Sequence, residues 1–324
     1  CEKLSGVSVK IFDSCERAKE KTAKLDVSIM ARLVATTAPV AAAFDRFAEE
    51  LIELSDVEAN AIDMVDHGNA KIMVDLLQTD VKAKAARILA KICQNTYGKR
   101  SQAIARAGAI EPLVALLNDG ALDFEIVSNA AFALGNIVRT AELAEAAGEA
   151  GAIAPLVALL AGFTEHSEAA EIAAFALNTI AYNGSEAWND CIVAAGAIQS
   201  LMVLLAAGGT EAHDAAEHAL AVLVNLSFGS DERADAIVAS GSIAPIVALL
   251  AGGTESRHEF LAARLLFNLA TDGQVRGQCS RRSEARSEAI VAAGAVDPLV
   301  ALLARGLDDD AASEAADALG MLAS

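Results

Sequence analysis

Apolar positions recur along the chain in blocks of one pattern: a glycine, then Ala-Ile, a proline and a run of leucines. The block at 108–117 reads Gly-Ala-Ile-Glu-Pro-Leu-Val-Ala-Leu-Leu. Close copies begin at Gly151, Gly196, Gly241 and Gly294, and a degenerate copy begins at Gly68. Successive glycines are 40, 43, 45, 45 and 53 residues apart. Self-similarity at such a period predicts a repeat protein, whose units bury their apolar faces against their neighbours.

Each unit is predicted to hold three helices. A short first helix ends at the glycine of the block, because glycine readily takes the left-handed conformation at a helix C-terminus. The second helix has a proline in its first turn, as at Pro112, where the missing N–H has no helical partner. The third helix is the longest and ends in a phrase such as Leu-Val-Asn-Leu-Ser at 223–227. The pattern therefore predicts an all-α fold.

The predicted organisation is a row of six repeats after an N-terminal segment. Residues 1–53 lack the block but carry helical stretches, so we expect a helical cap or a degenerate leading repeat there. The repeats are predicted at 54–97, 98–139, 140–182, 183–228, 229–271 and 272–324. The last is preceded by a predicted basic loop at 271–287, which accounts for the longest spacing between blocks.

The block, the three-helix unit and an asparagine near the end of the third helix resemble the armadillo-repeat family over residues 54–324. The resemblance implies a right-handed α-solenoid superhelix whose third helices line a concave groove that binds extended peptides. In members that resemble importin-α, the asparagine amide hydrogen-bonds the peptide backbone. A tryptophan four residues earlier holds the stem of a lysine or arginine. The resemblance thus implies a peptide-binding groove in this chain.

The match to that groove is partial. The asparagine position is filled by Asn136, Asn225 and Asn268, and by Thr179 in the third repeat. The tryptophan position has no tryptophan in any repeat, and it includes Phe132, Phe175 and Arg264. This difference leaves binding of the importin type as an alternative rather than as the main interpretation.

Acidic residues lie further back on the same predicted helix face, at helical spacing from the asparagine position. They are Glu125, Glu168, Glu171, Asp214 and Glu217. A groove with an acidic middle suits a basic, extended segment, and the alternative is that this face is merely solvated. The basic loop is a second candidate surface, with Arg276, Arg281, Arg282 and Arg286 as its contacts. A loop without function is the alternative there.

Charge and cysteine content narrow the partners and the compartment. A formal net charge of -19 repels phosphate backbones, so we expect no direct nucleic-acid binding. No apolar run reaches the ~18 residues of a membrane span, so we expect no membrane insertion. The five cysteines form no Cys-x-x-Cys pair, which favours reduced thiols in the cytoplasm or another reducing compartment, the nucleus included. Cys93 and Cys191 are predicted to be buried.

No catalytic or cofactor motif is recognisable. The glycines form no phosphate-binding loop, and the histidines lack metal-ligand spacing. We therefore predict a protein without a cofactor that is not an enzyme, namely a protein–protein interaction scaffold or a structural subunit of a larger assembly. Two alternatives remain: an importin-like carrier of basic peptides, and the substrate-recruiting region of a ubiquitin ligase whose catalytic domain lies outside this sequence.

Overall fold

The structure, a computed structural model, describes residues 70–78, 82–94, 99–119, 123–162, 167–206, 213–251, 256–272, 281–306 and 309–323. The predicted N-terminal segment 1–53 and the degenerate block glycine Gly68 lie outside these residues. The chain divides into two compact units, Cys1–Ala109 and Ile110–Ser324. The division falls between the first and second helices of the predicted second repeat.

The described part of the first unit is helical. It contains α1 (Ala70–Leu76), α2 (Lys82–Gln94) and α3 (Lys99–Arg106). Helix α1 packs against both α2 and α3. Its Met73 and Val74 are buried, as are Ile88 and Ile92 four residues apart on α2, because helical spacing places them on one apolar face.

The second unit begins with α4 (Ile110–Leu117) and α5 (Phe124–Ile137). Three complete sets of first, second and third helix follow, and a fourth complete set comes last. They are α6 (Ala141–Glu149), α7 (Ile153–Ala161) and α8 (Ser167–Asn183); α9 (Glu186–Ala194), α10 (Ala197–Ala206) and α11 (His213–Ser227); and α12 (Asp231–Ala239), α13 (Ile243–Ala251) and α14 (Ser256–Ala270). The last set is α15 (Glu284–Ala292), α16 (Val296–Leu303) and α17 (Asp310–Ala323).

Two short strands precede the last set. Strands β1 (Thr271–Asp272) and β2 (Arg281–Arg282) pair antiparallel, with Thr271 opposite Arg282. This pair lies inside the predicted basic loop, so that part of the prediction is corrected. It is the only strand pairing in the described ranges, and the prediction of an all-α fold built from three-helix repeats is confirmed.

The block glycines turn the chain between first and second helices. Gly108, Gly151, Gly196, Gly241 and Gly294 have φ between 81° and 86°, a conformation that side chains with a Cβ rarely adopt. The three pairs α6–α7, α9–α10 and α12–α13 are bent by 80°, 73° and 84°. Among the described residues no single helix is long and apolar enough to cross a membrane, and only these bent pairs reach that length and composition together.

Helices of the same kind stack from one repeat to the next. The second helices pack in the series α7, α10, α13 and α16, and the third helices in the series α5, α8, α11, α14 and α17. Alanines such as Ala173 and Ala176 are fully buried in α8, which lets neighbouring third helices approach closely. Within the second unit, the repeats therefore bury their apolar faces against neighbouring repeats rather than in separate cores.

Candidate partner-binding surface

An aromatic run crosses three third helices. The ring centroids of Phe132 on α5 and Phe175 on α8 are 5.8 Å apart, and those of Phe175 and His218 on α11 are 5.4 Å apart. Sequence reasoning missed His218, which lies three residues before the tryptophan position of its repeat and so shares its helix face. We call the residues Glu125, Phe132, Glu168, Glu171, Phe175, Glu217 and His218 the third-helix stripe.

A glycine fixes the position of the central ring. A Cβ built on Gly135 of α5 would lie 2.7 Å from Cε1 of Phe175. The ring therefore occupies the space that a side chain at this position would fill. Helix α5 bears this glycine one residue before the asparagine position, so the close approach belongs to the repeat interface itself.

The carboxylates of the stripe differ in their partners. Glu125 and Glu168 are exposed and make no hydrogen bond or ion pair within the described residues. Glu217 is half-buried and accepts a hydrogen bond from Nε of Arg257 at 3.1 Å. Glu171 is half-buried and already engaged. Asp214 lies in α11, but its side chain is outside the described residues. Uncompensated negative charge is thus found on α5 and α8.

Most residues at the asparagine position make hydrogen bonds to other groups of the protein itself. Asn136 is buried and its Nδ2 donates to the Phe132 carbonyl at 2.9 Å. Asn268 is buried and donates to the carbonyl of Val224 and to Oγ of Ser227, both at 3.1 Å. These amides tie a third helix to itself or to its neighbour, and their burial keeps them away from a peptide on the surface.

The other two members of that position are also bonded. The Thr179 hydroxyl is buried and donates to the Phe175 carbonyl at 3.0 Å. Asn225 is half-buried and its Nδ2 donates to Oδ1 of Asn178 at 2.8 Å. Sequence reasoning missed Asn178 because it lies one residue before the position that the alignment of repeats selects. This amide pair is half-buried and lies on the third helices that carry the stripe.

Arginines neutralise acids on the helices that follow the stripe. Nη1 of Arg264 on α14 lies 2.8 Å from Oε1 of Glu314 on α17, and the Arg264 guanidinium lies 5.9 Å from the Phe267 ring centroid. Burial raises the pKa of Glu314, although the charge of Arg264 opposes the shift. Arg305 binds the fully buried carboxylate of Glu259. Glu314 and Glu259 are therefore already paired with arginines.

The predicted loop contacts do not share one environment. Arg276 lies outside the described residues, Arg281 lies in β2 with its side chain outside them, and Arg282 is half-buried in β2. Arg286 is not in a loop: it is buried in α15, which corrects the prediction. Its guanidinium is fully engaged inside the protein and so does not face a partner.

Arg286 belongs to a clamp between successive repeats. Its Nε donates to the Leu269 carbonyl at 2.7 Å, and its Nη1 donates to Oδ1 of Asp235 at 2.7 Å. Its Nη2 donates to Asp231, to Asp272 and to the carbonyl of Thr271. Burial opposes the positive charge, but the hydrogen bonds to Asp235 and Asp231 and the charge of Asp272 outweigh it and raise the pKa of Arg286.

The preceding junction has the same clamp. Arg233 of α12 donates from Nε to the Leu226 carbonyl and from Nη1 to Oδ1 of Asp190, both at 2.7 Å, and from Nη2 to Glu186. Arg233 and Arg286 both stand eight residues before a block glycine. Their acidic partners stand ten and six residues before the preceding one. Sequence reasoning missed this regularity, although the spacing could have revealed it.

A tryptophan fills the equivalent position one junction earlier. Trp188 of α9 donates from Nε1 to Oε2 of Glu145 at 2.6 Å, and a Cβ on Gly148 would lie 2.3 Å from its ring. The hydrogen bonds from Trp188 and Ser185 lower the pKa of Glu145.

The described residues contain no group of three or more His, Cys, Asp or Glu side chains placed to hold a metal ion. Cys93 is buried as expected, whereas Cys191 is exposed, because it lies on the outer side of α9. The clamps and the stripe are therefore the polar constellations that stand out in this part of the chain.

Stacked three-helix repeats with positive-φ glycines define an α-solenoid of the armadillo type. A model of the Armadillo/beta-catenin-like repeat matches residues 99–139. An engineered protein of known structure is 32% identical over 92% of this chain and 68% of its own, with a TM-score of 0.76. The chain belongs to the armadillo-repeat family, whose members are typically protein-binding and generally non-enzymatic scaffolds.

Designed armadillo repeat proteins are also similar. One is 27% identical over 78% of this chain and 99% of its own, with a TM-score of 0.66. Another, solved in complex with the peptide (KR)4, is 26% identical over 78% of this chain and 98% of its own, with a TM-score of 0.64. A comparison with curated proteins gives no match.

Proposed function

We propose that the chain is a non-enzymatic interaction scaffold that binds an extended, basic segment of a partner protein along the third-helix stripe. The observation that carries the proposal is the run of Phe132, Phe175 and His218 beside the unpaired carboxylates of Glu125 and Glu168. Lysine and arginine have apolar stems and charged heads, so both parts of the side chain find a partner on such a surface.

The aromatic rings and the carboxylates of the stripe would bind different parts of a basic side chain. A stem or a guanidinium lies on the face of Phe132 or Phe175, where the ring quadrupole attracts the cation. The charged head reaches Glu125 or Glu168 and forms a charge-assisted hydrogen bond. The half-buried amides of Asn178 and Asn225 are the nearest groups for the backbone of the segment.

The charges beyond the stripe favour one part of the row of helices. Glu217 of α11 is already paired with Arg257, and Glu314 of α17 with Arg264, so a basic segment gains less from these two acids than from Glu125 and Glu168. We therefore propose that the basic side chains bind on α5 and α8, and that the His218 ring of α11 continues the aromatic run beside them. The similarity to a designed armadillo protein bound to an alternating lysine–arginine peptide supports this ligand chemistry.

The test uses the peptide (KR)4, labelled with fluorescein and titrated with the full chain at two salt concentrations. We expect binding that weakens steeply with salt, because the contacts are screened ion pairs. Replacing Glu125 and Glu168 together by glutamine should lower the affinity by about five- to tenfold. The matched control replaces Glu111 and Glu149, exposed acids of α4 and α6, by glutamine.

The outcomes distinguish binding of the peptide at the stripe from attraction of the peptide by the net negative charge of the protein. Equal weakening in the stripe variant and in the control would mean that the peptide responds only to the net charge. Unchanged binding in the stripe variant would remove the third-helix stripe as the site. Phe175→Ala adds a readout that does not depend on charge, and we expect weaker binding from the loss of the stacked ring.

An importin-like carrier of basic peptides is the second candidate, because the same stripe suits lysine-rich and arginine-rich signals. A scaffold or structural subunit should co-purify with its assembly in a fixed ratio. A carrier should instead exchange its ligand for free (KR)4 peptide.

A further inference from the structure

Helix α14 reverses the charge that the earlier third helices carry on the same face. At the positions where α5 and α8 have the glutamates and phenylalanines of the third-helix stripe, α14 has Arg257 and Arg264. Phe260 and Phe267 follow these arginines, each three residues later. The four residues share one helix face, because successive members are three or four residues apart. We call Arg257, Phe260, Arg264 and Phe267 the α14 stripe.

A direct contact joins the two stripes. Nε of Arg257 donates to Oε1 of Glu217 on α11 at 3.1 Å, and Glu217 belongs to the third-helix stripe. The third helices α8, α11 and α14 also pack in series. A segment that lies along the third-helix stripe can therefore continue onto α14.

The arginines of the α14 stripe keep donors for a ligand. The side chains of Arg257 and Arg264 are 61% and 41% exposed. Within the described residues, Arg257 makes its only hydrogen bond through Nε, and Arg264 makes its only one through Nη1. A guanidinium has five N–H donors in a fixed fork, so each of the two has donors left over. The clamp arginines Arg233 and Arg286 differ, because they are buried and donate through all three nitrogens.

We propose that the segment bound by the third-helix stripe also carries acidic residues, whose carboxylates bind Arg257 and Arg264. The inference rests on the proposed function and specifies its ligand: basic residues bind on α5 and α8, and acidic residues bind on α14. Carboxylates match the planar fork of a guanidinium and accept charge-assisted hydrogen bonds from it. Acids of α11 and α17 hold one edge of each guanidinium, so the ligand takes the other edge. The Phe267 ring centroid lies 5.9 Å from the Arg264 guanidinium and helps to hold it in place.

The packing of the helices sets the spacing between the two kinds of residue. Helices α8 and α14 are two steps apart in the series of third helices. Packed helices are ~8–10 Å apart, so equivalent positions on α8 and α14 are ~16–20 Å apart. An extended chain advances by ~3.3 Å per residue, so about five or six residues separate a basic residue on α8 from an acidic residue on α14.

The test compares two fluorescein-labelled peptides, KRKRGSGSEE and KRKRGSGSQQ, which are titrated with the full chain at low salt. The reversed peptides EEGSGSKRKR and QQGSGSKRKR are measured as well, because the surface does not fix the direction of the segment. In one direction we expect the glutamate peptide to bind about two- to fivefold tighter than its glutamine counterpart. The formal net charge of -19 alone predicts the opposite order, since glutamates make the peptide less positive.

Substitutions assign the preference for glutamate to the α14 stripe. Arg264→Gln combined with Glu314→Gln keeps the net charge and leaves neither member of that ion pair without its partner, and it should remove most of the preference. Arg257→Gln should reduce it. The matched control is Arg106→Gln, which removes an exposed arginine of α3 and should leave the preference unchanged. Circular dichroism checks that each variant is folded.

The outcomes separate this inference from the proposed function. Replacing Glu125 and Glu168 by glutamine should weaken both peptides of a pair and keep the ratio of their affinities. Glutamate peptides that bind no tighter than glutamine peptides in either direction would overturn the inference, and so would a preference that survives the loss of both arginines. Binding of (KR)4 at the third-helix stripe without any preference for glutamate would leave the proposed function standing.

Discussion

The junction filled by Trp188 and the junction filled by Arg286 solve the same packing problem in different ways. Both side chains come from the third position of a first helix and contact the first helix of the preceding repeat. Trp188 makes one hydrogen bond, to Glu145, and occupies space left by Gly148. Arg286 makes five, to two carbonyls and three carboxylates.

The difference shows that the repeat determines where the junction side chain lies but not which type of residue it is. The residues equivalent to Gly148 are Ala105, Val193, Val238 and Val291, so glycine stands at this position only where the large ring follows. The paired acids Asp231 and Asp235 precede the arginine. Each junction is therefore matched to its own side chain, and exchanging one half without the other should cost stability.

The largest expected effect is that of Arg286→Leu. The change leaves three carboxylates clustered without a cation and two carbonyls without a donor. We expect the free energy of unfolding to fall by about 2–4 kcal/mol, less than for a fully buried pair because the acids are partly hydrated. Urea denaturation followed by circular dichroism measures it. Arg257→Ala, which removes an exposed ion pair, is the control and should cost less than about 1 kcal/mol.

Arg233→Leu should have a smaller effect, because Arg233 binds two carboxylates where Arg286 binds three. We expect a loss of about 1–3 kcal/mol in the same assay. Asp272→Asn removes the third carboxylate around Arg286. In that background, Arg286→Leu and Arg233→Leu should lower the free energy of unfolding by more similar amounts. An Arg233 variant less stable than the Arg286 variant would contradict this ranking.

Gly148→Ala tests the tryptophan junction sterically. A methyl group here meets the Trp188 ring, so the ring or the helix has to move, and we expect a loss of about 1–3 kcal/mol. Gly320→Ala is the matched control, since no atom lies within 4 Å of its built Cβ. That change should stabilise helix α17 by about 0.5–1 kcal/mol. Equal changes in the free energy of unfolding for the two substitutions would show that the Trp188 ring does not require a glycine at position 148.

The smallest effect depends on pH. The pKa of Glu145 is held below its ordinary value of 4.5, chiefly by the hydrogen bond from Trp188. Its contribution to stability is therefore present above pH 4.5 and is lost as the pH falls through the lowered pKa of the folded state. Trp188→Phe keeps an aromatic side chain, although a smaller one, and removes the N–H donor. Thermal unfolding between neutral and acidic pH should show less acid sensitivity in this variant than in the parent, and an unchanged pH profile would count against the bond.

The repeats could be predicted in detail, and the contacts of the asparagine position could not. The block glycines and prolines fix local backbone geometry, so the three-helix unit follows from the residues themselves. Asn136 and Asn268 looked like free amides because the sequence gives their helix face only approximately. Whether such an amide bonds to a neighbouring carbonyl depends on how closely two third helices approach. The aromatic run could not be predicted for the same reason, since His218 contacts Phe175 across the interface between two third helices.

By itself, the sequence determined the period, the helices and the turns, because these depend on local rules: glycine at positive φ, proline in a first turn, and apolar spacing. Tertiary structure alone decided which side chains meet across junctions. Arg286 became a buried clamp rather than a loop residue because the acids that bind it come from another repeat and from β1. Val300 is 50% exposed and Val247 only 9%, although both occupy the same position of the block, because burial depends on contacts with other repeats, which a residue's own sequence neighbours do not specify.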